Sequence, residues 1–452
     1  MKKINFKLIG NIFISKYVYI LLGLLLFRLV LAFIYWHGDL NNHVDWGIRF
    51  YQYGPQQFYA PDSNVWNFTW PNQPPGTIYI FALIRKIYEM VFNLLWIINI
   101  NISLFPSIIV SYSETNLYPA LLKLPSILAD FGIAYFISKI ILLIGKNEKI
   151  AKLSSLIFLL NPVIWYNSAV WGQTDAIVNF LAIASFYFLM RKKLTTSALL
   201  YAICLYIKLS LAIYIPIYVI VALHGKYKIK HYLITALICF VAIFMLTYPF
   251  AKLDSFTWLY SIYVDKVLSH QLHVITANAF NLWAFLTGIH ERPNSDIFFI
   301  YSYEMWGNAL FLLSYIVVSI SLVKDTSHKS LVMALLVVSF SGFMLLTNMH
   351  ERYIYPVFVP LTIIAGINRK YIKTLVIMSI INLFNLYNFW WYPKIDVIVE
   401  IMSGNDRLAP RLLSLFSLSV YFLIMWWYLQ DNKPYFDKLK TSFLRQLGTR
   451  KV

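Results

Sequence analysis

Residues 13–36, FISKYVYILLGLLLFRLVLAFIYW, run straight into His37-Gly38-Asp39, with His43, Asp45 and Trp46 close behind. A helix of roughly 20 apolar residues crosses a bilayer core, so this stretch is long enough to be a span. It delivers a carboxylate to the membrane surface, where an acid is costly to keep unless it is wet or used. Runs of the same kind recur near 74–90, 92–112, 118–143, 151–169, 175–190, 194–207, 209–223, 232–249, 302–323, 330–347, 353–367, 372–390 and 411–429. Two are marginal: 74–90 carries Arg85 and Lys86, and 194–207 is short. Of the 452 residues 60% are hydrophobic and 13% charged, with a mean hydropathy of +0.64. No soluble domain of this length could carry that composition on its surface. The expected fold class is all-α, a polytopic transmembrane helical bundle of about eleven to fourteen spans.

Cationic breaks fall at Lys2-Lys3-Lys7, Lys146-Lys149-Lys152, Arg191-Lys192-Lys193, Lys226-Lys228-Lys230, Arg369-Lys370-Lys373 and the tail 431–452. Such loops stay on the cytoplasmic side, which puts both termini there. The intervening breaks carry Asp39, Asp45, Asp62, Glu114, Asp175, Asp254, Asp265, Glu291, Glu351, Asp396 and Asp406 and face the exoplasmic side. For that alternation to hold, the stretch 74–112 crosses twice or not at all. The formal charge of +18 then marks a cytoplasmic face held against anionic lipid, with no need of a nucleic acid partner. Cys204 and Cys239 lie inside apolar runs and suggest neither disulfide nor metal. The first run lacks a small-residue cleavage site, so it is expected to be retained. One membrane domain over 1–452 is the economical reading, with loop elaborations at 37–73, 250–300 and 391–410.

Chemistry is expected on the exoplasmic edge. The spacing of Trp46, Phe50 and Tyr53 predicts an amphipathic interfacial helix over 41–53, ended by Gly54-Pro55. Asp39 could cap that helix, act in catalysis, or both. A second polar cluster reads Val170-Trp171-Gly172-Gln173-Thr174-Asp175, and a third Thr347-Asn348-Met349-His350-Glu351-Arg352-Tyr353. Arg352 offers a fork of fixed donors and His350 one more, a pairing suited to an anion; the plainer reading of Glu351 and Arg352 is a lipid-headgroup anchor. Lys208 can snorkel from a helix end. Asp130 cannot, and its expected partner is Lys123, seven residues away on the same helix face. His270 and His273 lack a nearby third ligand, a poor metal site.

The order Gly38-Asp39, Trp46, Gly54-Pro55, Phe58-Tyr59, Pro74-Pro75-Gly76, Lys123-Leu124-Pro125 to Asp130, Trp171 to Asp175, Asn278-Ala279-Phe280-Asn281-Leu282-Trp283 and His350-Glu351-Arg352-Tyr353 resembles the GT-C glycosyltransferases. It is similar in particular to the prokaryotic proteins related to the second mannosyltransferase of GPI-anchor synthesis, over about residues 15–370. The resemblance implies an inverting enzyme that takes a sugar, mannose first, from a polyprenyl-phosphate donor on the exoplasmic face, with no cofactor and no bound metal. It implies an acceptor that is a glycolipid, a glycan or a protein, and a multi-pass location in a prokaryotic plasma membrane. Asp39 falls where the family keeps its general base. Arg352, His350 and Lys208 are then candidates for the donor phosphate, and Asp45, His43, Trp171, Gln173, Asp175 and Glu351 for sugar or acceptor. Lys123, Asp130, Asn278 and Asn281 are structural or line the cavity. A flippase or transporter for lipid-linked glycans would favour an inverted repeat, and a glycan polymerase or ligase one large Arg/His-rich loop; neither feature is found.

Overall fold

The protein, described by a computed structural model over residues 16–60, 65–269 and 272–448, is an all-α polytopic helical bundle. Lys2, Lys3, Lys7, Asp62, His270 and the end of the basic tail lie outside the described residues. Six of the described helices are long and apolar enough to span a membrane, or seven if one bent pair counts as a span. The expected larger number of spans is met only by adding shorter apolar helices such as Asp175–Met190 and Leu194–Ile207.

The first span, α1 (Lys16–Ile34), is followed by α2 (Asp39–Gln57), which breaks at Gly54 with φ +70° as the Gly-Pro pair predicts. Then come α3 (Pro75–Asn101), started by proline at its first position, and α4 (Ser107–Leu143). These two correct the expected spans 74–90 and 92–112. The start of α3 is fastened by Thr77 Oγ1 to Ile207 O at 2.6 Å and by Tyr79 OH to Leu246 O at 2.9 Å. In the first half of α4, Tyr112 OH donates to Phe33 O at 2.9 Å, and Lys123 Nζ donates to Ala32 O at 3.2 Å and to Tyr35 O. So α4 is already level with the end of α1 at those residues and makes one traverse from there to Lys146. A helix of 37 residues is about 55 Å long, far more than one bilayer core needs. The stretch 74–112 is therefore a helical hairpin of α3 and the start of α4, and α3 is not among the helices apolar enough to span.

Beyond it run α5 (Glu148–Leu160), α6 (Pro162–Trp165), α7 (Asp175–Met190), α8 (Leu194–Ile207), α9 (Ile215–His224) and α10 (Ile229–Ala251). The long loop holds α11 (Ser255–Ser261), α12 (Leu282–Thr287) and a hairpin pairing Ile297–Phe298 with Tyr301–Ser302. The chain closes with α13 (Tyr303–Lys324), α14 (His328–Leu345), α15 (Tyr355–Ile367), α16 (Ile372–Tyr387), α17 (Asp396–Ser403) and α18 (Leu408–Gly448). Successive traverses alternate in direction, so the basic turns after α4, α7, α9, α13 and α15 gather at one end; Lys370 and Asp431 pair there at 3.7 Å. The acid-bearing turns gather at the other. At the bundle's centre α14 is sheathed by helices, whereas α1 and α10 present bare apolar faces, as lipid contact requires.

Asp130 sits fully buried in that bundle, and its partner is not Lys123. Arg28 Nη1 reaches it at 2.9 Å, Ser168 Oγ at 2.6 Å, and Tyr355 OH donates to its other oxygen, while Arg28 Nη2 donates to Leu159 O at 2.8 Å. Seven residues of helix rise about 10 Å, too far for a Lys and an Asp on one face to meet. Lys123 instead serves the unsatisfied carbonyls at the C-terminus of α1, where a cation also suits the helix dipole.

Candidate functional site

Asp39 is the first residue of α2, and Gly38, not Asp39, stands at the cap. Its side chain is thereby freed to turn inward. Oδ2 accepts from Gln173 Nε2 at 2.7 Å and from Trp171 Nε1 at 3.2 Å, and Arg352 Nη1 stands 3.9 Å away. Oδ1 makes no hydrogen bond among the described residues, and the side chain keeps 25% of its surface. Burial alone would raise this carboxyl, but the facing Arg352 guanidinium and the Trp171 N–H, among other contacts, outweigh it and hold the group below the usual carboxylate range.

A π-helical turn, Tyr166–Trp171, brings Trp171 and Gln173 there, and such turns are frequent at functional sites. Asn167 O accepts from both Gly172 N and Gln173 N, closing the turn. Gly172 has φ +83°, and a Cβ on it would come within 2.9 Å of Leu40 and 3.0 Å of Lys123, so only glycine fits. Lys123 also links the site to the first span, because it holds Ala32 O in the last turn of α1 and Tyr35 O, four residues before Asp39.

The His350-Glu351-Arg352 corner is held by the long loop. Ala277 N donates to Met349 O at 3.0 Å, Asn348 exchanges bonds with Val274, and Asn278 bridges to His350. Asn281 caps α12 by accepting from Trp283 N and Ala284 N, both at 3.1 Å, so it is structural. Asn278, with φ +69°, passes the connection on to Asn388 through bonds of 3.0 and 2.6 Å. Arg352 lies over the rings of Trp171 and Tyr353, at 5.8 and 5.6 Å. Lys208 pairs with Asp175 at 2.6 Å. Asp175, Lys208, His350, Arg352 and Tyr353 line a cavity of about 430 Å³ whose remaining wall is largely apolar, with Leu209, Ile213, Phe343, Leu346 and Met349. Burial depresses His350 to about 3, leaving a neutral imidazole that can donate one N–H.

Three expected residues sit elsewhere. Both oxygens of Asp45 are occupied, by Asn67 N at 2.9 Å, Asn67 Nδ2 at 3.1 Å and Arg49 Nε at 3.3 Å, so it pins the first loop. His43 stacks on Phe81 at 4.4 Å, buried one turn below Asp39 and lowered to about 4 by that burial. Glu351 is buried behind Arg352, 3.4 Å from Nη1, and lines no part of the cavity.

Burial raises Glu351 to about 7 from an ordinary 4.5, against the opposing pull of Arg352. Through that window the folded chain keeps a proton that the unfolded chain has released, so stability falls as pH rises. Glu351→Gln is expected to melt at nearly the parent's temperature at about pH 5 and above it at about pH 8, measured by thermal scans in detergent. A difference that stays constant across that range would show that Glu351 does not titrate there.

The sequence reading passed over two residues. Arg28 carried a signal, a guanidinium inside an apolar run that must find an acid. His37 carried none: its Nδ1 accepts from Asp39 N at 3.2 Å, and Trp171 and Trp390 clasp its ring at 4.5 and 4.4 Å.

No protein-family model matches the chain. Over 109 residues it is 30% identical to GPI mannosyltransferase 1 of Dictyostelium discoideum, a stretch covering 23% of this chain and 24% of that protein. The likeness is to a mannosyltransferase. It spans about a quarter of that relative, and its name carries the number 1, where the motifs resembled relatives of the second such enzyme.

Proposed function

We propose that this protein is an integral-membrane inverting glycosyltransferase that moves a hexose, mannose first, from a polyprenyl-phosphate carrier to an acceptor on the exoplasmic face, with Asp39 as general base. The observation that carries the reading is the convergence of the Asp39 carboxylate and the Arg352 guanidinium, 3.9 Å apart, beside a cavity with a cationic corner and apolar walls. The local likeness to a mannosyltransferase supports it.

Oδ1 of Asp39 takes the proton of the acceptor hydroxyl as that oxygen bonds to the anomeric carbon and the carbon–phosphate oxygen bond breaks. A single displacement inverts the centre and needs one carboxylate; the phosphate leaves with the bonding electrons and requires no general acid. Arg352, Lys208 and the His350 N–H receive its charge. Each cation already faces a carboxylate, which suits a singly charged phosphodiester better than a diphosphate. Leu209, Ile213, Leu346 and Met349 offer the isoprenoid an apolar wall. With the basic turns cytoplasmic, both termini lie in the cytoplasm and the site faces outward, toward a glycolipid, glycan or protein acceptor.

The test is to incubate purified protein in lipid with a panel of radiolabelled polyprenyl-phosphate sugars and added membrane extract. One donor should lose its label to the extract; if every donor keeps it, the reading fails. In the same assay Arg352→Ala should raise the donor KM by about 10- to 100-fold, the weight of a charged hydrogen bond, with a smaller change for acceptor. An unchanged donor KM would remove Arg352 from the phosphate.

A further inference from the structure

Between α16 and α17 the chain reads Asn388-Phe389-Trp390-Trp391-Tyr392, five residues at the end of the bundle where Asp39 lies. Two non-glycine residues there are held in left-handed conformations, Phe389 at φ +73° and Trp391 at φ +41°. Such strain persists only where the surroundings over-determine the backbone, and it clusters at functional sites. The surroundings here do so. Asn278 Nδ2 donates to Asn388 O at 3.0 Å, Trp391 N to Tyr387 O at 3.1 Å, and Tyr166 OH to Tyr392 O at 2.6 Å. An interfacial aromatic belt needs no such fixing, since its rings only have to meet lipid headgroups.

The loop faces the reacting carboxylate through one intermediate residue. The Trp390 ring packs on His37 at 4.4 Å and on Trp171 at 5.8 Å, and Tyr392 reaches His37 at 5.9 Å. Phe389 and Tyr392 remain 40% and 41% exposed, and Arg407 stacks 3.8 Å over one face of the Phe389 ring, which leaves its opposite face and Tyr392 for a ligand. None of these residues lines the 430 Å³ cavity. Inversion requires the incoming hydroxyl to approach from the side away from the leaving phosphate, so the nucleophile needs a seat separate from the Arg352 corner.

We propose that residues 388–392 form the acceptor subsite, a rigid aromatic platform that stacks the apolar face of an uncharged pyranose and presents its hydroxyl to Asp39. Arg407 supplies hydrogen bonds to the ring's hydroxyls. Asn278, which bridges to His350 on one side and holds Asn388 on the other, ties this platform to the phosphate corner. The proposal rests on the glycosyltransferase reading of the Asp39 site.

Its test has a binding arm and a kinetic arm, both on the full chain in lipid nanodiscs. Saturation-transfer NMR with methyl α-mannoside, mannobiose and a panel of other neutral pyranosides should show ring-proton transfer for at least one sugar. The signal should vanish in Phe389→Ala/Tyr392→Ala at an unchanged melting temperature; should that pair melt early, Tyr392→Leu, at an exposed position, takes its place. Kinetically, Tyr392→Leu should raise the acceptor KM by about tenfold, the order of one lost aromatic contact, and leave the donor KM within about twofold. A parent that binds no pyranoside, or a signal and an acceptor KM that survive the aromatic losses, overturns the subsite. Sugar binding that depends on the platform, in a protein that transfers from no polyprenyl-phosphate sugar, would uphold the subsite and overturn the donor.

Discussion

Asp39→Asn is expected to slow sugar transfer by about 10²- to 10⁴-fold, the usual weight of a positioned general base, with the protein still folded and inserted. The asparagine is nearly isosteric and its carbonyl can still accept from Gln173 Nε2 and Trp171 Nε1, so the pocket keeps its shape. What is lost is the proton acceptor, because an amide oxygen cannot take the acceptor's proton. Donor KM should change little, since Arg352 and Lys208 keep their places. The assay is transfer of labelled sugar at saturating donor, alongside a thermal scan of both proteins. Activity within about threefold of the parent would remove Asp39 from the base role. The depressed carboxyl gives a further sign: Asp39 is ionised throughout the neutral range, so any acid limb belonging to it lies below the ordinary carboxylate range.

Arg28→Met should destabilise the bundle by about 3–5 kcal/mol, because it strands a buried carboxylate without its counter-charge. Asp130 would keep only Ser168 and Tyr355, two neutral donors, at a depth where water cannot help. Since Arg28 also holds Leu159 O, α1 loses one hydrogen bond to α5 as well as its ion pair with α4, while Tyr112 and Lys123 still hold its end. Replacing both members, as Arg28→Met with Asp130→Leu, removes the stranded charge and should recover a large part of the loss, as apolar replacement of buried pairs often does. Melting temperature in detergent, followed for the two single variants and the double, measures this coupling. If the loss in the double variant equals the sum of the two single losses, the pair carries no such interaction.

The helical class, the membrane setting and the polar clusters at one edge were legible because each rests on local pattern: apolar runs of span length, basic breaks and short motifs. The helix after the first span and its break at Gly54 follow the same way, since helical period and a Gly-Pro break are properties of a few consecutive residues. Pairings between distant segments were not legible. Lys123 and Asp130 share a helix face, and sequence spacing suggested a link, yet each found a nearer partner on α1. Asp45 looked as available as Asp39 until a loop more than twenty residues on occupied both its oxygens.

From the sequence alone came a membrane-spanning chain with an acid after its first span and two further polar clusters, because hydropathy and charge are summed along the chain and need no third dimension. Only the tertiary structure decided which of these acids keeps an oxygen without a hydrogen bond among the described residues and faces a guanidinium. That choice depends on which donors from the turn after α6 and the corner before α15 arrive at one point, and helix packing across more than three hundred residues of separation brings them there.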